Sequence, residues 1–378
     1  MKHILLVSFA SFFDSTAEIP YMFKKAGCTV DVYCSKDSWL KTNYYHDNWI
    51  EASTNEAIFA SEFINYVKDN TDRYAWILLL EDPTVKIINE SIHDEDLFKK
   101  IMPINKPENR VLLSSKIGLS DLCRKFNIAT PCYINYSENS DINDIKSKLH
   151  FPILLKEDFS FSGTGIQLCN KETLLSACIS KVSKKENLVL QEFIEGEDIG
   201  VEALFKDGEL IMYNVAEVLT YMYNRFSFTT RRNYYQDDRI AENLRKMGKA
   251  FGLNGFASIQ YVFQKESNTF YLIEVDCRTN MWMPYSRFTS QNFSDGIRMY
   301  LHDDLFSVKP GIKDKKFEVT IFDRDIRRCI KHRDYKGLWQ WMTNYHHYWK
   351  FIPFQDLRLL KRTVGKILKD FFYKIINR

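Results

Sequence analysis

The chain has 378 residues, of which 45% are hydrophobic and 27% are charged, as is usual for a globular protein with a sizeable core. Its 52 Lys and Arg residues nearly balance 49 Asp and Glu residues, and the net charge of +3 creates no global field that would favour nucleic acid. This composition excludes a largely disordered chain and leaves nucleic acid out of the predicted partners.

Two features bear on the cellular compartment. Eight cysteines are scattered without a C-x-x-C pair or histidines at zinc spacing, so we expect reduced thiols of a cytoplasmic protein. The N-terminal run "KHILLVSFASFF" is short, ends at Asp14 and lacks a clear cleavage site, which favours a first β-strand over a signal peptide. No stretch of the sequence is long and apolar enough to span a membrane.

Residues 1–104 are predicted to form a small Rossmann-like domain. "HILLVSF" and "CTVDVYC" read as short apolar strands, separated by a helical segment and a turn at Gly27, and a third strand, "YAWILLLED", ends in Glu81 and Asp82. Strands that alternate with helices predict a parallel α/β layer. The segment has no G-x-G-x-x-G turn, so we assign it no dinucleotide.

The middle of the chain is predicted to be α+β with antiparallel ribbons. A helix with Lys116 near its start precedes strands at "FPILLKED", "IQLC" and "LVLQEF". Two hairpins follow, and the first turns at Asp207-Gly208, the strongest local strand-pairing signal in the chain. The tail is rich in arginine, lysine and tryptophan and ends in a helix. The predicted units after the first are 105–190, an N-terminal lobe with a Gly-rich loop; 191–312, a C-terminal lobe; and 313–378, a basic helical extension.

Polar side chains occupy one side of the predicted strand "YLIEVDCRTN". Alternate residues of a strand share a face, so Glu274, Asp276 and Arg278 line up. Buried carboxylates need a cation, and with an oxygen from Gln260 on the partner strand the set suits magnesium. Arg278 would then face phosphate, whose oxygens match a guanidinium fork. The alternative is a solvated strand face with a surface ion pair between Glu274 and Arg278.

Two other segments suit a nucleotide. Lys156 ends an apolar strand and precedes the loop "FSFSGTG", which can bring backbone amides and hydroxyls to phosphate without matching a Walker P-loop. In "LVLQEFIEGED" a connector from Gln191 to Ile194 can present amide and carbonyl groups to a purine. Taken singly, each segment is more often a plain turn.

The order of these pieces resembles the ATP-grasp superfamily. A lysine, a second lysine with a Gly-rich loop, Q-E-F-I-x-G-x-D, and Gln followed by Glu-x-Asp-x-Arg succeed one another between about Ile104 and Gly296. The chain looks most similar to the carboxylate–amine ligase branch, with likeness to the nucleotide domains of carbamoyl-phosphate synthase and D-alanine–D-alanine ligase. The implied fold class is α/β and α+β: a Rossmann-like N-terminal domain, a two-lobed ATP-grasp domain with antiparallel sheets, and a helical C-terminal extension.

The resemblance also implies roles for single residues. Lys116 and Lys156 would contact ATP phosphates, and Lys156 and Arg278 would act in catalysis. The family usually has Asn where Asp276 stands, and the extra charge would tighten metal binding or shift metal preference. The remaining implied contacts are Ser162, Gly163, Thr164 and Gly165 in the loop over the phosphates, Gln191, Glu192, Phe193 and Ile194 at the adenine, Asp198 or else Glu197 at the ribose, and Gln260, Glu274 and Asp276 at magnesium.

The implied activity is ADP-forming ligation with ATP and Mg²⁺ as cofactors. A substrate carboxylate would attack the γ-phosphate, and an amine, for example of an amino acid or small peptide, would displace phosphate from the acyl phosphate. The alternatives are an ATP-grasp kinase or carboxylase, and a nucleotide-binding module held in place by the basic tail. Arginines near the motifs are predicted to bind the carboxylate of a small-molecule substrate: Arg225, Arg231, Arg232 and Arg287.

The tail "FQDLRLLKRTVGKILKDFFYKIINR" has the pattern of a basic amphipathic helix. Its apolar stripe is predicted to contain Leu357, Leu360, Val364, Ile367, Leu368, Phe371 and Ile375. Such a helix can lie on an anionic membrane, which would place the protein peripherally at the inner membrane surface. We favour docking of the apolar stripe onto the protein itself or onto a second subunit of a homodimer, because that arrangement is commoner.

Overall fold

The computed structural model describes residues 1–160, 165–182, 187–302 and 317–376, with side chains given as far as Phe372. These residues contain one parallel sheet and two antiparallel sheets. All eight cysteines lie in the described ranges and are free, as expected. Among the helices of these ranges, none combines the length and the apolarity that a membrane span needs.

The N-terminal part is a Rossmann-like layer, as predicted. Its four parallel strands are ordered β3-β2-β1-β4. Because alternate side chains of a strand face opposite ways, Leu5 of the first strand packs with Phe59 and Phe63, whereas Ile4 packs with Phe23 on the other side. The elements are β1 (His3–Ser8), α1 (Ile19–Lys25), β2 (Thr29–Cys34), β3 (Asn48–Glu51), α2 (Glu56–Asp69), β4 (Trp76–Leu79), α3 (Asp82–Ser91) and α4 (Glu95–Ile101).

A small lobe with its own hydrophobic core follows. Its antiparallel strands are ordered β5-β8-β6-β7, and Ile153, Leu155, Leu188 and Leu190 of the two central strands are almost completely buried. Lys116 is the first residue of its leading helix, as the sequence suggested. The elements are α5 (Lys116–Lys125), β5 (Tyr133–Tyr136), α6 (Ile142–Lys148), β6 (Ile153–Glu157), β7 (Ile166–Cys169), α7 (Leu175–Lys181) and β8 (Leu188–Glu192).

A larger lobe contains a six-stranded antiparallel sheet in the order β13-β12-β9-β10-β11-β14. The predicted hairpin is confirmed: Asp207 and Gly208 join two of its strands with φ values of 51° and 84°, the left-handed pair that a two-residue turn requires. The elements are β9 (Glu197–Lys206), β10 (Glu209–Tyr221), β11 (Thr229–Tyr235), α8 (Asp238–Phe251), β12 (Gly255–Gln264), β13 (Thr269–Asp276) and α9 (Phe293–His302).

The C-terminal extension is helical, as predicted, and its described part also contains a four-residue strand that the prediction lacked. This strand pairs antiparallel with β11 at the edge of the large sheet. So short an edge strand, without an apolar run, leaves little trace in a sequence pattern. The elements are β14 (Phe317–Thr320), α10 (Phe322–His332), α11 (Tyr335–Thr343), α12 (Tyr345–Tyr348) and α13 (Leu357–Ile376).

The last helix docks onto the body of the protein, as we favoured, through only part of the predicted apolar stripe. Leu359 packs against Trp39 of the N-terminal layer, and Ile367 joins the core beneath α10 and α11. Leu357 and Leu368, which belong to the predicted stripe, are 64% and 48% exposed. The helix is therefore anchored by one narrow apolar face and by the charges beside it.

We expect Ile367→Ala to lower the free energy of unfolding by roughly 2–5 kcal/mol, because it leaves a cavity in a packed core. The neighbouring Leu368→Ala is the matched control and should cost much less, since Leu368 is half exposed. Urea unfolding of both variants measures the difference. Equal effects would mean that α13 is not docked in this orientation.

Candidate functional site

One cavity of about 460 Å³ is lined by the N-terminal layer, both lobes and the C-terminal extension. It contains most of the predicted site residues, although they are far apart in the sequence. The predicted residues that line it are Lys116, Lys156, Gln191, Glu192, Phe193, Ile194, Asp198, Arg225, Arg232, Gln260, Glu274, Asp276 and Arg278.

Part of the predicted phosphate loop lies outside the described residues, namely Ser162, Gly163 and Thr164. Gly165, directly after them, has a φ of 68°, and a Cβ at this position would meet the Glu157 side chain at 2.8 Å. A glycine is therefore required where the chain enters β7. Ser160, directly before the undescribed residues, lines the cavity.

Lys156 is buried at the end of β6 and points at the neighbouring strand β8. Its Nζ donates a hydrogen bond of 2.6 Å to Oε1 of Gln191. Burial lowers the pKa of Lys156 to about 8, the Glu274 carboxylate opposes this shift, and Lys116 adds to it. The lysine is thus still largely protonated at neutral pH and is held ready for an anionic partner.

Lys116 lies at the N-terminus of α5, where unpaired backbone N–H groups favour anions. The cap is well built: Ser115 Oγ accepts from the Gly118 N–H at 2.8 Å, and Asp158 Oδ1 accepts from Ser115 Oγ at 2.9 Å. Lys116 Nζ donates to the Ser160 carbonyl oxygen at 2.9 Å. The second lysine is therefore tied to the segment that follows β6.

The predicted adenine connector needs a correction at its start. Gln191 and Glu192 are the last two residues of β8, and only Phe193 and Ile194 follow the strand. Gln191 is 3% exposed and is engaged by Lys156, while Glu192 Oε1 accepts from the backbone N–H of His150 at 2.7 Å. Both side chains already have partners, so the strand end can offer its backbone to a purine rather than these side-chain atoms.

Asp198, predicted at the ribose, is paired with a predicted substrate residue. Arg225 donates to both carboxylate oxygens of Asp198, at 2.6 to 3.0 Å, and its guanidinium lies 5.1 Å from the centre of the Phe193 ring. The Tyr221 hydroxyl also bonds to Asp198. Arg225 is thus part of the wall around the predicted nucleotide contacts, and its charge is compensated.

The predicted carboxylate face exists. In the pairing of β12 with β13, Gln260 lies opposite Glu274 and Ser258 lies opposite Asp276, and all four line the cavity. Burial raises the pKa of the Asp276 carboxyl well above its ordinary value; Arg278 opposes this shift, and Glu274 adds to it. A carboxyl group that is costly to ionise in this way favours an added cation.

Two carboxylates and one amide oxygen suit a magnesium ion that keeps water and phosphate as its other ligands. In the described ranges there is no group of three or more His, Cys, Asp or Glu side chains that could hold a metal. The described side chains therefore supply only part of a metal's ligands. The donor set at Gln260, Glu274 and Asp276 fits a metal that is also bound by a nucleotide.

Arg278 is held by two carboxylates, one of which sequence reasoning missed. Its Nε and Nη2 donate to the two oxygens of Asp82 at 2.5 and 2.7 Å, and Nη2 also donates to Asp276 at 2.8 Å. Asp82 is the first residue of α3 and also lines the cavity. The one sequence signal was its place directly after the strand run "YAWILLLED".

Arg231 and Arg232 cannot serve one substrate together, which corrects the prediction. They are neighbours on β11, so their side chains point to opposite faces of the sheet. Arg231 donates to Asp325 at 2.7 and 3.0 Å and is not among the described residues that line the cavity. Arg232 lines the cavity but is paired with the buried Glu202 at 2.6 Å.

The close approach of Arg232 explains a glycine in β9. A Cβ at position 200 would lie 2.6 Å from the Arg232 guanidinium. Arg287, the last predicted substrate residue, pairs with Glu18 at 2.9 Å and is likewise absent from the described cavity lining. The structure therefore separates Arg231 and Arg287 from the other predicted residues.

Comparison with known proteins agrees with this geometry. Residues 114–280 match the family model described as "ATP-grasp domain". This region of the chain is similar to ATP-grasp domains. The match begins two residues before Lys116 and ends two residues after Arg278, so it encloses the nucleotide and carboxylate motifs and omits the C-terminal extension.

Among curated proteins, the carbamoyl phosphate synthase large chain of Thermoanaerobacter pseudethanolicus is 26% identical over 175 residues, which are 44% of this chain and 16% of that protein. The matched region thus spans about a sixth of the length of the curated relative. Two solved structures are similar in fold to this chain: L-amino acid ligase from Bacillus licheniformis (TM-score 0.59, 14% identity, 82% of this chain and 78% of that chain) and N5-carboxyaminoimidazole synthetase from Staphylococcus aureus complexed with ADP (TM-score 0.59, 14% identity, 89% and 96%).

The environment of Lys156 predicts a pH dependence of stability. The unfolded chain holds the lysine proton up to about pH 10.5, whereas the folded protein loses it near pH 8. The unfolded state binds more protons in this window, so raising the pH stabilises the fold. We expect the wild type to gain on the order of 1 kcal/mol relative to Lys156→Met between pH 7 and pH 9.

Urea unfolding at both pH values measures this gain. The control Lys171→Met changes an exposed lysine of the same lobe, keeps Lys156 and should follow the wild-type trend. A constant difference between wild type and Lys156→Met would contradict the buried, proton-losing lysine.

Proposed function

We propose that this protein is an ADP-forming ligase that activates a carboxylate as an acyl phosphate and joins it to an amine. The observation that carries the proposal is the charge arrangement of the cavity. Two lysines, Lys116 and Lys156, line the same space as the carboxylates of Glu274 and Asp276 and as the strand end of β8. This arrangement suits the triphosphate, the metal and the base of ATP.

ATP and magnesium are the cofactors that these residues fit. Lys116 and Lys156 would contact the phosphates, and Gln260, Glu274 and Asp276 would hold magnesium. When bound with ATP, the metal neutralises phosphate charge so that an anionic nucleophile can approach. The Staphylococcus aureus structure with the same fold is described as an ADP complex, which supports a nucleotide at this position.

The chain's own residues would position the reactants and stabilise charge. A carboxylate oxygen attacks the γ-phosphorus, the bond to the β,γ-bridging oxygen breaks, and ADP leaves. The amine nitrogen then attacks the acyl carbon, loses a proton, and the acyl–oxygen bond breaks to release phosphate. Lys156 carries a proton below its pKa of about 8 and can offset charge on the transferred phosphoryl group. Arg278, fixed by Asp82 and Asp276, orients the carboxylate face.

An amino acid or small peptide is the substrate class we favour. The L-amino acid ligase of Bacillus licheniformis has the same fold over 82% of this chain, and its name describes the joining of amino acids. A kinase or carboxylase reaction is the second candidate, since the curated relatives are named carbamoyl phosphate synthases. Trapping of the acyl phosphate separates the two.

The deciding experiment measures ADP release with ATP, Mg²⁺ and pools of amino acids and small carboxylates, in the presence of hydroxylamine. A ligase of this kind yields a hydroxamate from the acyl phosphate. ADP without hydroxamate would favour a kinase, and silence in every pool despite ATP binding would favour a nucleotide-binding module.

In the same assay we expect Glu274→Gln to lower ADP release at least a hundredfold while the thermal midpoint changes little, because the variant removes a metal ligand and not a core side chain. Glu266→Ala, an exposed glutamate at the turn of the same hairpin, is the control and should retain activity. Undiminished ADP release by Glu274→Gln would refute the metal assignment.

We further propose that the outward face of α13 makes peripheral contact with an anionic membrane. Leu368, Phe371 and Phe372 are 48%, 40% and 55% exposed there, and Lys361 and Lys369 lie on the same exposed side. Apolar and basic groups together suit such a surface. Co-sedimentation with phosphatidylserine vesicles tests this contact, and dimerisation without vesicle binding would assign the face to a homodimer instead.

A further inference from the structure

The C-terminal extension contributes a second cluster of cations to the cavity. Arg324 and Arg327 lie three residues apart on α10, so they share one face of that helix, and Lys366 comes from α13. All three line the cavity together with Asp14 of the N-terminal layer. We call these four residues the extension cluster. The matched domain ends at residue 280, so the three cations lie outside it.

Within the described cavity lining, the extension cluster has three cations and one carboxylate. Arg324 and Lys366 both bond to Asp14, which is the single carboxylate of the described extension-side lining. Arg327 donates to Asp370 at 2.6 Å, and the Asp370 side chain is 47% exposed. Elsewhere in the cavity Arg225 pairs with Asp198 and Arg232 pairs with Glu202, while Arg278 pairs with both Asp82 and Asp276.

Two guanidinium groups of the cluster also have free hydrogen-bonding capacity. In the described part of the chain, Arg324 Nε and Arg327 Nη1 are buried and have no hydrogen-bond partner. Oδ2 of Asp323 lies 3.8 Å from Arg324 Nε and 3.9 Å from Arg327 Nη1, too far for a hydrogen bond. Buried donors on a charged group are costly unless an acceptor arrives.

Aromatic side chains lie beside this cluster. The Arg324 guanidinium lies 4.4 Å from the centre of the Phe228 ring, and Phe228 and Phe12 both line the cavity while remaining 38% and 64% exposed. Apolar surface next to two buried guanidinium groups with unpaired N–H donors suits a molecule with an apolar body and an anionic end.

We propose that the extension cluster binds an anionic group of the ligase substrate, either a carboxylate or a phosphate. This group is not the one that reacts with ATP. This inference rests on the proposed function, because it assigns the nucleotide to the other end of the same cavity. The proposal predicts that one of the two substrates, the amine or the carboxylate compound, has an apolar body and an additional anionic group. The anion would face the guanidinium groups of Arg324 and Arg327 and the ammonium group of Lys366, which line the cavity.

Direct binding without nucleotide tests the cluster. Isothermal titration compares 3-phenylpropanoate and inorganic phosphate with the uncharged 3-phenylpropanamide. We expect the wild type to bind at least one of the anions and to bind the amide at least tenfold more weakly. Arg327→Gln and Lys366→Gln should each weaken anion binding roughly ten- to a hundredfold, the range for a lost hydrogen bond to a charged group. Preference for phosphate or for phenylpropanoate identifies the kind of anion.

The control variant is Lys361→Gln, which removes an exposed cation from the same helix and should bind like the wild type. Thermal midpoints identify any variant that fails to fold, and two variants on different helices keep the test open if one does. Anion binding that is absent in the wild type, or that is as tight in both variants as in the wild type, would overturn the proposal. Failure of ADP release with anion binding intact would instead refute the ligase function and leave the cluster as a binding site.

Discussion

The pairing of one guanidinium with two carboxylates, beside a third carboxylate in the same cavity, is the constraint on which this site depends. Asp82 begins a helix of the N-terminal layer, Glu274 and Asp276 share a strand face of the large lobe, and Arg278 bonds to Asp82 and Asp276. Like charges this close cannot all remain ionised without further cations. The arrangement links two parts of the fold and leaves a residual negative field on the cavity wall.

Positive side chains elsewhere on the cavity wall compensate for that negative field. Lys116 and Lys156 come from the small lobe, one at a helix N-terminus and one at a strand end, and Glu274 raises the pKa of Lys156 against the effect of burial. A polyanion between the walls would be attracted by the lysines and would need a metal to approach the carboxylates. The charge pattern thus explains why a magnesium nucleotide fits better than a free anion or a free cation.

Local patterns in the sequence predicted much of this site, because they depend on backbone geometry alone. The alternation of Glu274 and Asp276 fixed a shared face, and Asp207-Gly208 fixed a turn. Long-range pairing was beyond such patterns. Asp82 meets Arg278 across 196 residues. The partners of Arg231 and Arg232, Asp325 and Glu202, likewise come from distant parts of the chain.

The central claim is that the cavity binds ATP through a metal held by the β13 carboxylates. Isothermal titration of ATP with and without Mg²⁺, on the wild type and on Glu274→Gln, tests it most directly. The account predicts that Mg²⁺ tightens ATP binding to the wild type at least tenfold and that Glu274→Gln loses most of this gain. Equal tightening by Mg²⁺ in both proteins, or no ATP binding by the wild type, would contradict it.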